Sequence, residues 1–133
     1  MAAAQLLLLV EDETMILNLL QEALMEAGYE VVVARDGARA LEELEADADR
    51  FRGIITDIRL GSGPDGWEVG HRARELSPHI QVVYMSGDSG HEWASQGVPN
   101  SLMVSKPFAV AQVVTAISTL LVQEDTRRGG QPD

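Results

Sequence analysis

The chain has no cysteine, which excludes a disulfide framework, a thiolate metal site and a thiol nucleophile together. It is also poor in cations: ten Lys and Arg stand against 21 Asp and Glu, a formal net charge of −11 over 133 residues. A nucleic-acid duplex is held by clustered cations that displace counterions, and anionic membrane surfaces ask for the same. Neither is therefore an expected partner. Long apolar runs are missing too. The longest, Leu6–Val10, is far too short to span a bilayer, and the first residues lack the basic-then-apolar layout of a secretion signal. No internal repeat or low-complexity tract is visible. What is there is a length suited to one domain, 45% hydrophobic residues, and the expectation of a soluble, cytoplasmic protein.

Short apolar runs alternate with amphipathic segments. Residues 5–10 form a Leu-rich run suited to a strand buried on both faces. Ile16, Leu19, Leu20, Ala23, Leu24 and Ala27 then recur at helical spacing, with Gly28 where a helix C-cap belongs. Residues 30–35 read as a strand, and Asp36 can cap a helix carrying Ala40, Leu41 and Leu44. Residues 53–57 form a third strand, and Asp65 with Glu68 has the spacing of a capping box opening a helix to about Leu76. Residues 80–85 give a fourth strand, 89–96 a short and weakly specified helix, and 101–104 a fifth strand. Pro107 fits the first turn of a helix running to Val122. These β/α units predict a parallel sheet covered on both faces, in one domain over 5–122, with 1–4 and 123–133 as a loose extension and a flexible tail. In such folds the site lies beyond the carboxyl ends of the strands.

Those ends carry a particular set of side chains. Glu11 and Asp12 follow the first strand, Asp57 closes the third, Ser86 follows the fourth, and Lys106, the only lysine, follows the fifth. Singly, each has an ordinary reading: Asp12 as a helix cap, Asp57 as a loop acid, Ser86-Gly87 as a turn, Lys106 as a surface charge. Together they make a problem that needs a cation. Carboxylates converging at one sheet edge repel by about 4 kcal/mol per pair at ~4 Å when the effective dielectric is about 20. Hard oxygen ligands on short side chains describe a Mg²⁺ site, and Lys106 adds a second, fixed positive charge. Mg²⁺, a Lys and a Ser hydroxyl around one Asp suit the stabilisation of phosphoryl oxygens, with the Asp as nucleophile and an acyl phosphate as product.

Val10-Glu11-Asp12, Asp57, Met85-Ser86-Gly87 and Lys106-Pro107-Phe108, in this order and spacing, resemble the response-regulator receiver domain, the phosphoacceptor half of two-component signalling. The resemblance spans 5–122 and implies a five-stranded, doubly wound, flavodoxin-like (βα)5 α/β fold. It implies that Asp57 takes a phosphoryl group from a histidine kinase or a histidine phosphotransfer protein and later loses it by autodephosphorylation, with no external substrate. It further implies Mg²⁺ bound by Asp12 and Asp57, by Glu11 through water, and by the backbone carbonyl of Arg59. Ser86 would hydrogen-bond the phosphoryl group, Lys106 would form an ion pair with it, and the Lys106–Pro107 bond would be cis. The signal would leave by contact with a downstream protein, through a face made by the fourth helix, fifth strand and fifth helix, which would also serve a homodimer.

Two positions depart from the family pattern. Gly61 stands where a Pro is usual, in a loop (60–66) one residue longer than normal, and Met103 replaces the usual aromatic three residues before the lysine. Rival readings are weaker. Gly61-Ser62-Gly63-Pro64-Asp65-Gly66 is a literal dinucleotide fingerprint, but it falls in the third unit, and Asp65 would face the pyrophosphate. A phosphatase or phosphotransferase with an Asp nucleophile needs a substrate cap for which this length leaves little room. A degenerate, unphosphorylated receiver acting as an interaction module is set against site positions that are all filled. His71, His79 and His91 read as surface residues, Trp67, Trp93 and Tyr84 as packing, and Arg127-Arg128 as a solvated pair.

Overall fold

The computed structural model describes residues 4–88 and 90–129. Strands β1 (Leu6–Val10), β2 (Glu30–Ala34), β3 (Gly53–Asp57), β4 (Gln81–Ser86) and β5 (Leu102–Ser105) form one sheet in the order β2-β1-β3-β4-β5, every pairing parallel. Helices α1 (Thr14–Glu26), α2 (Gly37–Asp47), α3 (Gly66–Leu76), α4 (Trp93–Gln96) and α5 (Val110–Gly129) alternate with them. This is the expected doubly wound fold.

Alternation along each strand divides the core in two. Leu7, Leu9, Ile55, Val83 and Met85 pack under α1 and α5, against Leu17, Leu20, Val113 and Ile117. Leu8, Val10, Ile54, Val82 and Tyr84 pack on the other face against α2, α3 and Trp93. Inner strand β1 has both faces covered, so Leu7, Leu8, Leu9 and Val10 are all fully buried. Each such side chain contributes about 1.5–3 kcal/mol of burial free energy. Strand order reverses between β1 and β3, and the crevice beyond their carboxyl ends is the place where this topology puts a site.

The helix ends follow their sequence signals. The Gly28 N–H bonds the Met25 carbonyl and the Tyr29 N–H the Leu24 carbonyl, a Schellman stop for α1. Asp36 accepts from the Arg39 N–H at 2.8 Å. Asp65 and Glu68 form the reciprocal capping box of α3.

Helix α5 differs from expectation at both ends. It begins at Val110 and not in the turn of Pro107, with the Ala109 N–H capped by the Gln112 side chain at 2.8 Å. At the other end it continues past Val122 to Gly129. The buried apolar stripe ends at Leu120 and Leu121, and the described turns beyond it are held by charge. Buried Glu124 accepts from Arg127 at 2.9 Å and lies 3.1 Å from His79 Nδ1, and Asp125 pairs with Arg52 at 2.6 Å. Hydrophobic periodicity cannot reveal anchoring of this kind. Arg127 is exposed, as expected, and also pairs with Glu124. The outer parts of the expected loose segments, 1–3 and 130–133, and Ser89 of the expected fourth helix lie outside the described residues.

Candidate functional site

Glu11 directly follows β1, and its N–H extends the sheet ladder to the Ala34 carbonyl at 3.1 Å. That backbone bond carries the side chain into the interior, where it is fully buried. Oε2 accepts from the Glu13 N–H at 3.1 Å, while Oε1 is buried without a hydrogen-bond partner. Asp12 is exposed beside it, and Glu13, not Asp12, stands at the N-cap of α1, with no side-chain cap bond. The helix-cap reading of Asp12 therefore fails.

Asp57 closes β3, almost entirely buried. Its Oδ1 accepts from the Ile58 N–H at 2.8 Å, and its Oδ2 accepts from Lys106 Nζ at 2.9 Å. Behind it, the Gly66 N–H bonds the Ile58 carbonyl at 2.8 Å, and a Cβ at 66 would collide with the Asp57 carbonyl. Only glycine lets the start of α3 come this close to the aspartate's backbone. Ser86 closes β4, buried, with Oγ accepting from the Asp88 N–H at 3.2 Å. Its carbonyl takes the Lys106 N–H at 2.8 Å, which ties the lysine to the end of β4. The Lys106–Pro107 bond is cis, as the resemblance implies.

The five side chains expected at the strand ends thus share one corner of the molecule. One carboxylate oxygen from each of Glu11, Asp12 and Asp57 lies within 4.8 Å of the others. Lys106 Nζ also stands 3.6 Å from Glu11 Oε1. Arg59 turns its guanidinium to Asp88 at 2.9 Å, a rim ion pair between partners 29 residues apart that no local pattern signals. His71 bonds the Gln96 carbonyl at 2.7 Å, His79 faces Glu124, and His91 is exposed, so the histidines lie outside the cluster.

Burial dominates the electrostatics of Glu11. It pushes the carboxyl up from 4.5 to about 7, the Asp57 charge adds to this, and the Glu13 N–H and Lys106 oppose it. For Lys106, burial works against the charge, yet the Asp57 hydrogen bond and the charges of Asp57 and Glu11 hold its pKa above the ordinary lysine value. Lys106 is therefore a permanent cation that does not fully satisfy its carboxylates. A buried carboxylate oxygen without a hydrogen bond, beside two further hard oxygen donors, fits a small divalent cation such as Mg²⁺.

The sequence matches the response regulator receiver domain over residues 7–118. The chain belongs to this family. It is 30% identical over 118 residues to the response regulator receiver protein CpdR of Brucella abortus, covering 87% of this chain and 96% of that protein. A response regulator receiver protein from Sinorhizobium medicae superposes with a TM-score of 0.87 at 43% identity, over 91% of this chain and 97% of the other. The response regulator protein TrrA of Thermotoga maritima, solved in complex with Mg²⁺-BeF, superposes with a TM-score of 0.75 at 26% identity, over 87% and 98% of the two chains. The receiver also matches longer transcriptional regulators, spanning 50% of YbdJ of Bacillus subtilis and 25% of DctD of Rhizobium meliloti.

In this receiver the raised pKa of Glu11 has a consequence for stability. A carboxyl whose folded pKa exceeds its unfolded one favours folding only while protonated, so its contribution is full below about pH 4.5 and is lost as pH rises to about 7. In chelator-treated buffer, Glu11→Gln should therefore be more stable than the unmodified chain by about 1–3 kcal/mol at pH 8, with the gap closing near pH 4.5. Urea denaturation across that range measures it, and equal stabilities at pH 8 would show that burial does not strain Glu11.

Proposed function

We propose that this receiver is phosphorylated on Asp57 by a histidine kinase or a histidine phosphotransfer protein and signals by protein contact. The observation that carries the reading is the pairing of Asp57 with Lys106 beside the under-satisfied Glu11 and the exposed Asp12. A carboxylate oxygen of Asp57 attacks the phosphorus of the phosphohistidine; the new O–P bond forms as the N–P bond breaks, and the electron pair stays with the imidazole. Lys106 and the Ser86 hydroxyl take up the phosphoryl oxygens, an array already oriented before reaction. Glu11, Asp12, Asp57 and the Arg59 carbonyl would hold Mg²⁺, which supplies positive charge against the phosphoryl oxygens when bound. Attack of water on the same phosphorus releases inorganic phosphate and restores Asp57.

The donor's docking surface adjoins the site. Met15 and Leu19 are 72% and 53% exposed on α1, and an apolar groove of about 430 Å³ lined by Ile16, Leu19, Pro107, Phe108 and Val110 leads to Lys106. The face of α4, β5 and α5 is left for the downstream protein or a second copy. No helix among the described residues is long and apolar enough to cross a membrane.

Acetyl phosphate should label Asp57 alone, and Asp57→Asn should abolish labelling with the fold intact, as read by intact-mass and peptide mass spectrometry. A phosphoryl group retained by that variant would place the acceptor elsewhere; no label on the unmodified chain would make this a degenerate receiver. Leu19→Asp should slow transfer from a phosphorylated histidine donor about tenfold or more, the scale of one buried interface anchor, while acetyl phosphate labelling stays unchanged. Equal loss with both donors would mean that the change damages the site and not the docking surface.

A further inference from the structure

Met103 sits where the family pattern has an aromatic ring, and it is a flexible, half-buried side chain on β5. Its register partner on β4 is Tyr84, which is completely buried. Tyr84 is not simply a packing residue. Its hydroxyl accepts the buried Val98 N–H at 3.1 Å, in the loop between α4 and β5. The Val98 carbonyl in turn takes the Ser101 hydroxyl at 2.6 Å, and Ser101 Oγ accepts from Trp93 Nε1 of α4 at 2.9 Å. A continuous chain of hydrogen bonds therefore joins strand β4 to helix α4 through Val98 and Ser101, both buried.

The ring at its inner end cannot turn. Trp67 lies against it with 4.7 Å between ring centroids, and Gly70 of α3 approaches so closely that a Cβ there would strike the Tyr84 hydroxyl. Tyr84 and Ser86 stand two residues apart on β4 and so project to the same face of the sheet. A phosphoryl group on Asp57 offers Ser86 a charge-assisted hydrogen bond, which draws the end of β4 toward it. A rigid ring on that strand carries its hydroxyl along, whereas an unbranched Met absorbs a displacement gradually.

We propose that Tyr84 is the positioning residue through which this receiver reads phosphorylation, coupling Ser86 to α4 by the Val98–Ser101–Trp93 hydrogen-bond chain and not by a ring at position 103. The proposal rests on Asp57 being the phosphoacceptor. The partner that detects the change would then meet α4 and the loop before β5.

The test uses beryllofluoride as the phosphoryl mimic, with ¹⁹F NMR to report its binding and Trp93 fluorescence, in a Trp67→Phe background, to report α4. Tyr84→Phe keeps an aromatic ring against Gly70 and against the phenyl ring placed at position 67, and deletes only the acceptor for Val98. Ser101→Ala cuts the chain at its outer end and leaves Tyr84 intact, so it decides the matter if Tyr84→Phe does not fold. Each variant should bind beryllofluoride as the parent does yet lose most of the fluorescence response, while Met103→Ala keeps most of it. Normal binding with an undiminished response in the folded chain-breaking variants overturns the proposal, as does loss of the response in Met103→Ala at normal binding. Absence of the bound-fluoride signal in the parent chain would instead overturn the phosphoacceptor reading, and this inference with it.

Discussion

The ammonium of Lys106 lies 2.9 Å from Asp57 and 3.6 Å from Glu11, between two carboxylates that the fold takes almost wholly out of water. Removing three charges from solvent costs several kcal/mol each after relaxation, and one cation among two buried anions repays that only in part. Glu11 registers the shortfall in a pKa near 7, and Asp12 adds a third carboxylate at the solvent edge. The corner is held in a state that gains from additional positive charge. Under the proposed function, a divalent cation and a phosphoryl group would there meet an already oriented set of partners.

The rest of the architecture keeps this corner from relaxing. Glu11 cannot retreat because its backbone is part of the β1–β2 ladder, and Asp57 is fixed by the Ile58 N–H with Gly66 packed behind it. Lys106 is bonded through its own N–H to the end of β4, so the strand bearing Ser86 and the strand leading to the lysine move as neighbours. The same strand carries Tyr84, whose hydroxyl joins the hydrogen bonds that reach α4 through Val98 and Ser101.

Much of this was legible in the residues. Leu-rich and Val-rich runs gave the strands to within a residue, because the inner strands of a parallel sheet are buried on both faces and read as unbroken apolar runs. The convergence of Glu11, Asp12, Asp57, Ser86 and Lys106 followed from where those strands end. What the sequence hid were interactions without a periodic signature. The ion pairs of Glu124 and Asp125 extend α5 past its apolar stripe. The Tyr84 hydroxyl, which looks like core in a strand pattern, finds a backbone N–H 14 residues on. The need for glycine at 66 is visible only once α3 is seen against Asp57.

A cluster of three carboxylates with one lysine should stay strained until a divalent cation joins it. The most direct measurement is the melting temperature of the chelator-treated receiver as Mg²⁺ is added to millimolar levels, beside the same titration of Asp12→Ala. A ligand that binds only the native cluster stabilises by mass action, and about 1 kcal/mol moves the transition of a domain this size by roughly 4 °C. The unmodified receiver should therefore melt several degrees higher with Mg²⁺, and Asp12→Ala should gain less than half as much. A melting temperature that does not respond to Mg²⁺ would contradict the account.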